Sequence, residues 1–234
     1  MTLAELVRAF RVLAHDTVHD ASSDRLDLLW QDADIRAWLN EGQREACVRA
    51  RLLVEAENPD VCRIDMVRGK RTYPLHPKLI EIISARYECK YERHRAHMLW
   101  LKTREWLDRF RQRRHEWEGA HERAPLFAVQ DETSITLIGR VHEGDVLWLE
   151  AYRLPMQDMQ ADGDTPEIHE ASHRHLVDWA LYRAFGIPDS EAFDAERSDR
   201  ALADFTRYFG LPVTADMRRS TRFDITNHTK LYLP

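Results

Sequence analysis

Apolar residues recur with a helical period at the two ends of this chain and with a strand-like pattern in its middle. A helical stripe of this kind must be buried against another element. Each end has enough periodic residues for only two helices, and one pair of helices cannot bury its stripes alone. We therefore expect the two ends to pack together. This predicts an α+β fold with a helical bundle core of about four helices, a β-rich insertion and an extended C-terminal tail.

The same patterns predict where the parts begin and end. The helical bundle core is expected to comprise residues 1–58 and 160–210, and the β-rich insertion, which carries a short helix, residues 59–159. Residues 211–234 lack a helical period and are expected to form the extended tail. A chain of 234 residues can bury a core of this kind without disulfide staples.

Local signals predict the limits of the helices. Thr2 followed by Glu5 has the spacing of a capping box, and Pro residues mark a first-turn position and a stop. The four long helices are expected to run from Thr2, from Asp32 to the stop at Asn58-Pro59, from Pro166 to Phe185, and from Ser190 to Phe209.

The middle block is expected to contain short strands joined by turns. Arg68-Gly69-Lys70 is predicted to join two neighbouring strands, and Glu143-Gly144-Asp145 to join two more. A further hairpin is expected around Cys89-Lys90, and a helix from Thr103 to about Trp117 interrupts the strands.

Bulk properties exclude several classes of protein. The net charge of −6 and the pI of about 6.1 argue against a sequence-independent grip on nucleic acid, which needs clustered Lys and Arg. The cysteines Cys47, Cys62 and Cys89 are scattered and odd in number, which indicates reduced thiols. The N-terminus lacks the apolar core of a signal peptide, and no stretch approaches the ~18 consecutive apolar residues of a membrane span. We expect a protein of the cytoplasm, or of a particle assembled there, without membrane contact.

The sharpest chemical pattern is HExxH, which residues 169–173 match as His-Glu-Ala-Ser-His. In zinc proteases the two histidines lie one helical turn apart and bind the metal, while the glutamate activates water. Taken alone, the motif predicts a zinc-dependent hydrolase with His169 and His173 as ligands and Glu170 as the base.

Three features favour a chance match instead. The motif lies in the first turn after Pro166, and its second histidine borders the apolar stripe of the helix. Leu176 and Trp179 occupy the positions where an extended signature has Gly and His. Glu191 and Glu196 could supply a third ligand, but both follow a helix break. We therefore expect no metal and no cofactor, and the zinc hydrolase remains the alternative hypothesis.

Two groups of cations are candidates for binding anions. Residues 111–115 include Arg111, Arg113, Arg114 and His115 on the short helix, where a solvated face explains them better than a phosphate contact. The second group, in the tail, consists of Arg218, Arg219 and Arg222.

Four segments, in this order along the chain, resemble the head-to-tail adaptor (connector) proteins of tailed bacteriophages. Residues 30–53, with an acidic start and the core Leu39-Asn40-Glu41-Gly42-Gln43, resemble that family's first long helix. Residues 166–185 are similar to a family helix that begins Pro-Glu-Ile and carries a histidine at the position of His173. The other two segments are Tyr73–Ile82, which resembles the entry to the family's β-rich insertion, and Val146–Pro155, which resembles the strand that leaves it.

The resemblance implies a structural virion protein that is not an enzyme. It implies a homo-oligomeric ring, of about twelve subunits, that docks on the portal protein, extends the DNA channel and provides the docking platform for the tail. A nozzle, stopper or tail-tube protein would bind downstream, and genomic DNA would pass without sequence-specific binding. The protein would lie in the neck of a virion assembled in the host cytoplasm.

The resemblance also suggests a role for the tail. A terminal segment without helical period, but with apolar and arginine anchors, can become ordered when it binds. We expect Leu211–Pro234 to contact the portal through Arg218, Arg219, Arg222 and Tyr232.

Overall fold

The computed structural model describes residues 1–16, 28–90, 96–120, 123–188 and 192–213. This part of the chain has the predicted α+β class, with seven α-helices, one 3₁₀-helix and two β-sheets. It divides into two compact units, one made of Met1–Leu53 with Leu154–Pro212 and the other built on Val54–Arg153.

The helices and strands have the following limits. The α-helices are α1 (Leu3–Ala14), α2 (Asp32–Ala50), α3 (Pro59–Cys62), α4 (Arg104–Gln112), α5 (Arg114–Ala120), α6 (Leu176–Phe185) and α7 (Ala195–Phe209), and a 3₁₀-helix spans Glu170–His175. The strands are β1 (Val54–Glu55), β2 (Arg63–Asp65), β3 (Thr72–Pro74), β4 (Leu79–Glu88), β5 (Ala96–Met98), β6 (Trp100–Lys102), β7 (Phe127–Gln130), β8 (Ser134–Ile138) and β9 (Val146–Arg153).

The first unit contains helices from both ends of the chain, and α6 contacts α1, α2 and α7. The predicted capping box opens α1: Thr2 Oγ1 accepts from the Glu5 amide at 3.3 Å, and Glu5 Oε2 accepts from the Thr2 amide at 2.9 Å. The pair satisfies two amides that the first turn would otherwise leave without partners. The buried face of α1 consists of Leu3, Leu6, Val7, Phe10 and Ala14.

Aromatic side chains fill the core of this unit. Phe10 of α1 meets Trp30 edge-on at 5.5 Å between ring centroids, and Trp30 meets Phe185 of α6 in the same way at 5.4 Å. On the other side of α6, Trp179 lies 4.9 Å from Phe205 of α7. Such edge and tilted pairs are favourable because the positive ring edge faces a negative ring face.

The second unit contains both sheets. In the first sheet the order is β1-β9-β4-β5, and β2 also pairs with β9; in the second it is β3-β8-β7-β6. All strand pairs are antiparallel except β6 with β7. Leu107 of α4 packs with Val129 and Ile138 of the second sheet, and all three are buried.

The two predicted turns form, but they do not make hairpins. Lys70 N–H donates to Val67 O at 3.1 Å, which closes the first turn, yet β2 pairs with β9 while β3 pairs with β8. The second turn likewise leads from β8 in one sheet to β9 in the other. A hairpin at either turn was therefore a wrong expectation, since β9 pairs with β4 along its length and with β2, and the two turns connect strands of different sheets. The hairpin expected near Cys89 is confirmed, since β4 pairs antiparallel with β5.

Four of the predicted helices differ in their limits. The helix expected from Ser190 begins at Ala195, because Asp194 caps it by accepting from the Arg197 amide at 3.0 Å. The helix expected from Thr103 to about Trp117 is divided at Arg113 into α4 and α5. The second helix ends at Ala50, before a left-handed Arg51 (φ 52°), because Val54–Glu55 pairs as a strand with β9. The third predicted helix starts later, since Glu170–His175 is a 3₁₀-helix and the α-helix begins at Leu176.

Candidate functional site

The HExxH motif has a geometry unsuited to binding zinc. It lies on the 3₁₀-helix rather than on an α-helix, and the imidazole of His169 caps that helix by accepting from the Ala171 amide at 3.2 Å. His173 is buried, and both of its ring nitrogens have partners. Nε2 lies 2.9 Å from Ile168 O and therefore donates, which leaves Nδ1 to accept from the Met1 ammonium at 2.9 Å.

The two histidines of the motif therefore form hydrogen bonds with backbone groups and the Met1 ammonium, and their ring nitrogens do not form a pair of free metal ligands. Among the residues that the structure describes, no group of three or more His, Cys, Asp or Glu could hold a metal ion. Of the two candidate third ligands, Glu196 pairs with Arg200 on the surface of α7 at 2.8 Å, and Glu191 lies outside the described residues. Sequence reasoning could not detect the 3₁₀ geometry, because the pattern specifies only residue types and spacing.

Polar side chains spaced four residues apart on α2 form hydrogen bonds with the segment 158–164, which runs along the helix. Asn40 is buried, and its amide pairs with the backbone of Met159 in both directions, donating to the carbonyl at 3.0 Å and accepting from the amide at 2.9 Å. Arg36, one turn earlier, donates to Gln160 O at 2.8 Å. The row continues with Arg44, which pairs with Asp158 at 2.6 Å.

The same segment caps α1. The Leu3 amide donates to Asp164 O at 2.7 Å, and the Ala4 amide donates to Asp162 O at 3.1 Å. Amides at a helix N-terminus have no partner within the helix and favour nearby negative charge. Segment 158–164 thus fastens α1 to α2. Sequence reasoning missed this role of Asn40, although polar residues at a spacing of four in a helix that buries its other face are a usable signal.

The predicted cationic groups differ in how far the structure describes them. Arg111 pairs with Asp108 at 3.5 Å and lies 5.5 Å from the ring centroid of Trp117, while Arg113 pairs with Glu116 at 3.4 Å. These pairs lie on exposed helix surface and match the prediction of a solvated face. The tail residues of the predicted portal-binding site, Arg218, Arg219, Arg222 and Tyr232, lie outside the described residues.

Several large apolar side chains of the second unit are exposed close together in the sequence or across a strand pair. Met98 and Trp100 are 53% and 62% exposed and lie two residues apart on either side of the buried Leu99. The Trp100 amide donates to the carbonyl of Leu126, itself 47% exposed, at 2.8 Å. Large apolar side chains that are exposed near one another are candidates for a protein interface. We refer to Met98, Trp100 and Leu126 as the apolar surface.

Comparison with known proteins identifies the family. A family model described as SU10 adaptor protein matches residues 1–225. The chain belongs to this phage head-to-tail adaptor family. The resemblance predicted from the four sequence segments is thereby confirmed, and the match spans both compact units.

Membership makes the chain a component of a phage virion and relates it to structural proteins rather than to a family of enzymes. The curated proteins contain no significant match to it. In the part of the chain that the structure covers, none of the helices has the length and apolar character needed to cross a membrane.

Proposed function

We propose that this protein binds the portal as a ring, extends the DNA channel and provides the docking platform for the tail. The observation that carries the proposal is the match to the adaptor family over residues 1–225. The ring is a homo-oligomer of about twelve subunits, a closed symmetry that lets one pair of surfaces repeat around an axis. A nozzle, stopper or tail-tube protein binds its far end, and DNA passes without sequence-specific contacts.

The parts of the chain have separate tasks in this proposal. The expected domain of residues 1–58 and 160–210 has α1, α2, α6 and α7 as a four-helix core, and the expected insertion is residues 59–159. The compact units divide a few residues earlier, at Val54 and at Leu154. Two properties support lateral contacts between subunits: the apolar surface of the second unit, and the exposed Leu13 and Tyr208 that line one recess of the first. Aromatic and aliphatic anchors of this kind dominate the affinity of protein interfaces.

The tail supplies the contact with the portal in this proposal. Arg218, Arg219, Arg222 and Tyr232 combine charge with an aromatic anchor, which is the residue chemistry enriched at binding hot spots. Truncation after Pro212 retains Gly210, whose carbonyl accepts from Arg49 at 3.3 Å, so the end of α7 stays intact. The truncated protein is expected to fold and to lose portal binding.

Negative-stain electron microscopy of this protein mixed with the portal protein of the same phage tests the proposal. The expected result is added density, coaxial with the portal and at one end of it. The truncated protein, checked for folding by circular dichroism, is expected to leave the portal bare. Absence of added density with the full chain would overturn the proposal, and a ring formed equally by the truncated protein would remove the role of the tail.

A further inference from the structure

Four cationic side chains of the second unit line one recess. Arg68, Lys70 and Arg71 come from the turn before β3, and Arg140 comes from the loop after β8. The recess has a volume of about 270 Å³, and it is completed by Gly69, Gly139 and Val141. We refer to it as the basic recess.

The four cations are available to a ligand. All four residues are exposed, and among the described residues none of their charged groups forms an ion pair. Lys70 Nζ lies 5.1 Å from the centroid of the Tyr73 ring, and a carboxylate oxygen of Glu143 accepts from the backbone amide of Arg68 at 2.9 Å. Arg111 and Arg113 differ from these four residues, because each of them forms an ion pair with a neighbouring carboxylate.

The hydroxyl of Tyr73 forms hydrogen bonds with the backbone of the turn that carries three of the cations. This side chain is buried, and its hydroxyl accepts from the Val67 amide at 3.0 Å and lies 2.9 Å from Lys70 O, to which it can donate. Gly69 has a φ of +81°, a conformation that favours glycine. The backbone around the cations is therefore preorganised, which lowers the entropy that binding must overcome.

The second loop is fixed to the same sheet. The Leu137 amide of β8 donates to Arg71 O at 2.8 Å, so the turn that carries three of the cations is bonded to the strand from which the second loop leaves. Gly139 lies so close to Pro125 that an added Cβ would stand 2.4 Å from its Cα. The Arg140 amide donates to the carbonyl of Arg123, a further exposed cation, at 2.6 Å.

We propose that the basic recess binds the phosphate backbone of duplex DNA without regard to sequence. Arginine presents a planar fork of donors that matches phosphate oxygens, and three of the four cations are arginines. The recess has a volume of about 270 Å³, and a Cβ added to Gly69 would meet nothing within 4 Å, so the backbone at this turn is open to a ligand. The lining of the recess contains four cations and no carboxylate, a charge pattern that matches the closely spaced phosphates of a DNA strand.

The role of this DNA contact in the virion rests on the proposed function, in which the protein forms a ring around the DNA channel. One subunit neutralises few phosphates and holds DNA weakly, which agrees with the net charge of −6 of the chain. A ring repeats the recess around the DNA, and linked weak contacts add up to a strong one. The basic recess would then face the channel.

The test compares two quadruple variants that change the formal charge equally. The first, Arg68→Gln/Lys70→Gln/Arg71→Gln/Arg140→Gln, neutralises the recess. The control neutralises four exposed arginines on α4 and beside it in the same unit: Arg104→Gln, Arg109→Gln, Arg111→Gln and Arg113→Gln. Binding to a fluorescent random-sequence duplex of about 30 base pairs is measured by anisotropy, for the free protein and for the portal-docked ring, across a series of salt concentrations.

The wild type is expected to bind at low salt, and the control variant to bind within about twofold of it. The recess variant is expected to bind at least about tenfold more weakly, with a salt slope smaller by about 2 to 4 per subunit engaged. Thermal melting of all three proteins checks that each is folded.

Several outcomes would overturn the inference. DNA binding by the folded recess variant equal to wild type would do so, as would a portal-docked wild-type ring that binds no duplex at the lowest salt. If the recess variant binds DNA normally but no longer docks on the portal, the recess holds an acidic protein surface instead. Failure of the wild type to form a ring would count against the proposed function alone, because the free protein is measured in the same assay.

Discussion

Individual polar side chains hold together segments that lie far apart in the chain. Asn40 satisfies both backbone groups of Met159, which is 119 positions away. In the second unit the buried Asp145 accepts from the Tyr87 hydroxyl at 2.5 Å and from the Lys90 amide at 2.9 Å. Because buried polar groups are costly when they lose a partner, each of these residues is a point where one substitution should have a large effect.

Asn40 is buried, and both of its amide atoms are bonded to the backbone of Met159. Asn40→Ala removes two hydrogen bonds and leaves the Met159 amide and carbonyl buried without that partner, so the free energy of unfolding should fall by about 2–4 kcal/mol. Arg44→Ala, one turn along the same helix, breaks only the largely exposed pair with Asp158 and should cost about 0–1 kcal/mol. Urea denaturation compares the two. Equal losses would contradict the role assigned to Asn40.

Alkaline pH tests the part that Tyr87 plays in stability. Burial, with the Asp145 hydrogen bond adding to it, raises the pKa of Tyr87 above its usual 10.0. A folded-state pKa raised in this way favours the protonated form, so the stabilisation is present below pH 10 and is lost as the pH rises above it. Tyr87→Phe should lower the free energy of unfolding at pH 7 by about 1–3 kcal/mol. Denaturation series from pH 7 to 11 should also show a shallower alkaline decline for Tyr87→Phe, and an unchanged decline would refute this cause.

At the scale of elements, close approach decides which surfaces can meet. Gly42 lies on α2 where it crosses α6, and a Cβ added there would stand 3.0 Å from the Cβ of Trp179. The helix interface therefore requires the smallest residue, although glycine is a poor helix former. The order of the strands also depends on contacts between distant segments. Strand β9 pairs with β1, β2 and β4, and it lies in a different sheet from β8, the strand that precedes it along the chain.

A pair of glycine substitutions tests this view of the helix interface. Alanine raises helix propensity by about 1 kcal/mol at either position, but at Gly42 its methyl group would push α2 away from Trp179. Gly42→Ala should therefore destabilise the protein by about 1–3 kcal/mol. Gly119→Ala in α5 meets nothing within 4 Å and should stabilise it by up to about 1 kcal/mol. Stabilisation by Gly42→Ala in urea denaturation would show that the interface has room to spare.

At the scale of the whole molecule, the apolar surface and the basic recess leave large apolar and cationic side chains exposed. The adaptor family gives these surfaces a context, because adaptor proteins act between the portal and the tail. The apolar surface of the second unit has two large side chains more than half exposed, which is unfavourable in water unless a partner covers them.

Substitution of the apolar surface tests its part in assembly. Met98→Ser/Trp100→Ser removes two exposed anchors, so ring formation on the portal should weaken by about tenfold or more while the subunit stays folded. Val54→Ser, at another half-exposed apolar position of the same unit, should leave assembly unchanged. The readout is the fraction of portals that carry a ring in electron micrographs, at several protein concentrations. Undiminished rings in the double variant would exclude the apolar surface from the subunit interface.

Sequence by itself determined the features that depend on near neighbours and on family patterns. The capping box at Thr2, the hairpin near Cys89, the start of a helix at Thr103 and the membership of the adaptor family were all predicted correctly. These features need only a few adjacent residues, because helix caps and amphipathic periods are set within about one turn or one strand.

Tertiary structure alone decided which distant groups meet. Four such contacts join residues about 60 or more positions apart: the bond of Asn40 to Met159, the pairing of β3 with β8, the bond of His173 to Met1, and the basic recess. The link of His173 to Ile168 is the short-range exception among these. Local signals cannot choose among such partners, because the choice depends on which apolar faces are buried together and which polar groups must then be satisfied. For the same reason, the HExxH pattern indicates a metal site in the sequence, whereas in the structure its histidines form hydrogen bonds with the backbone.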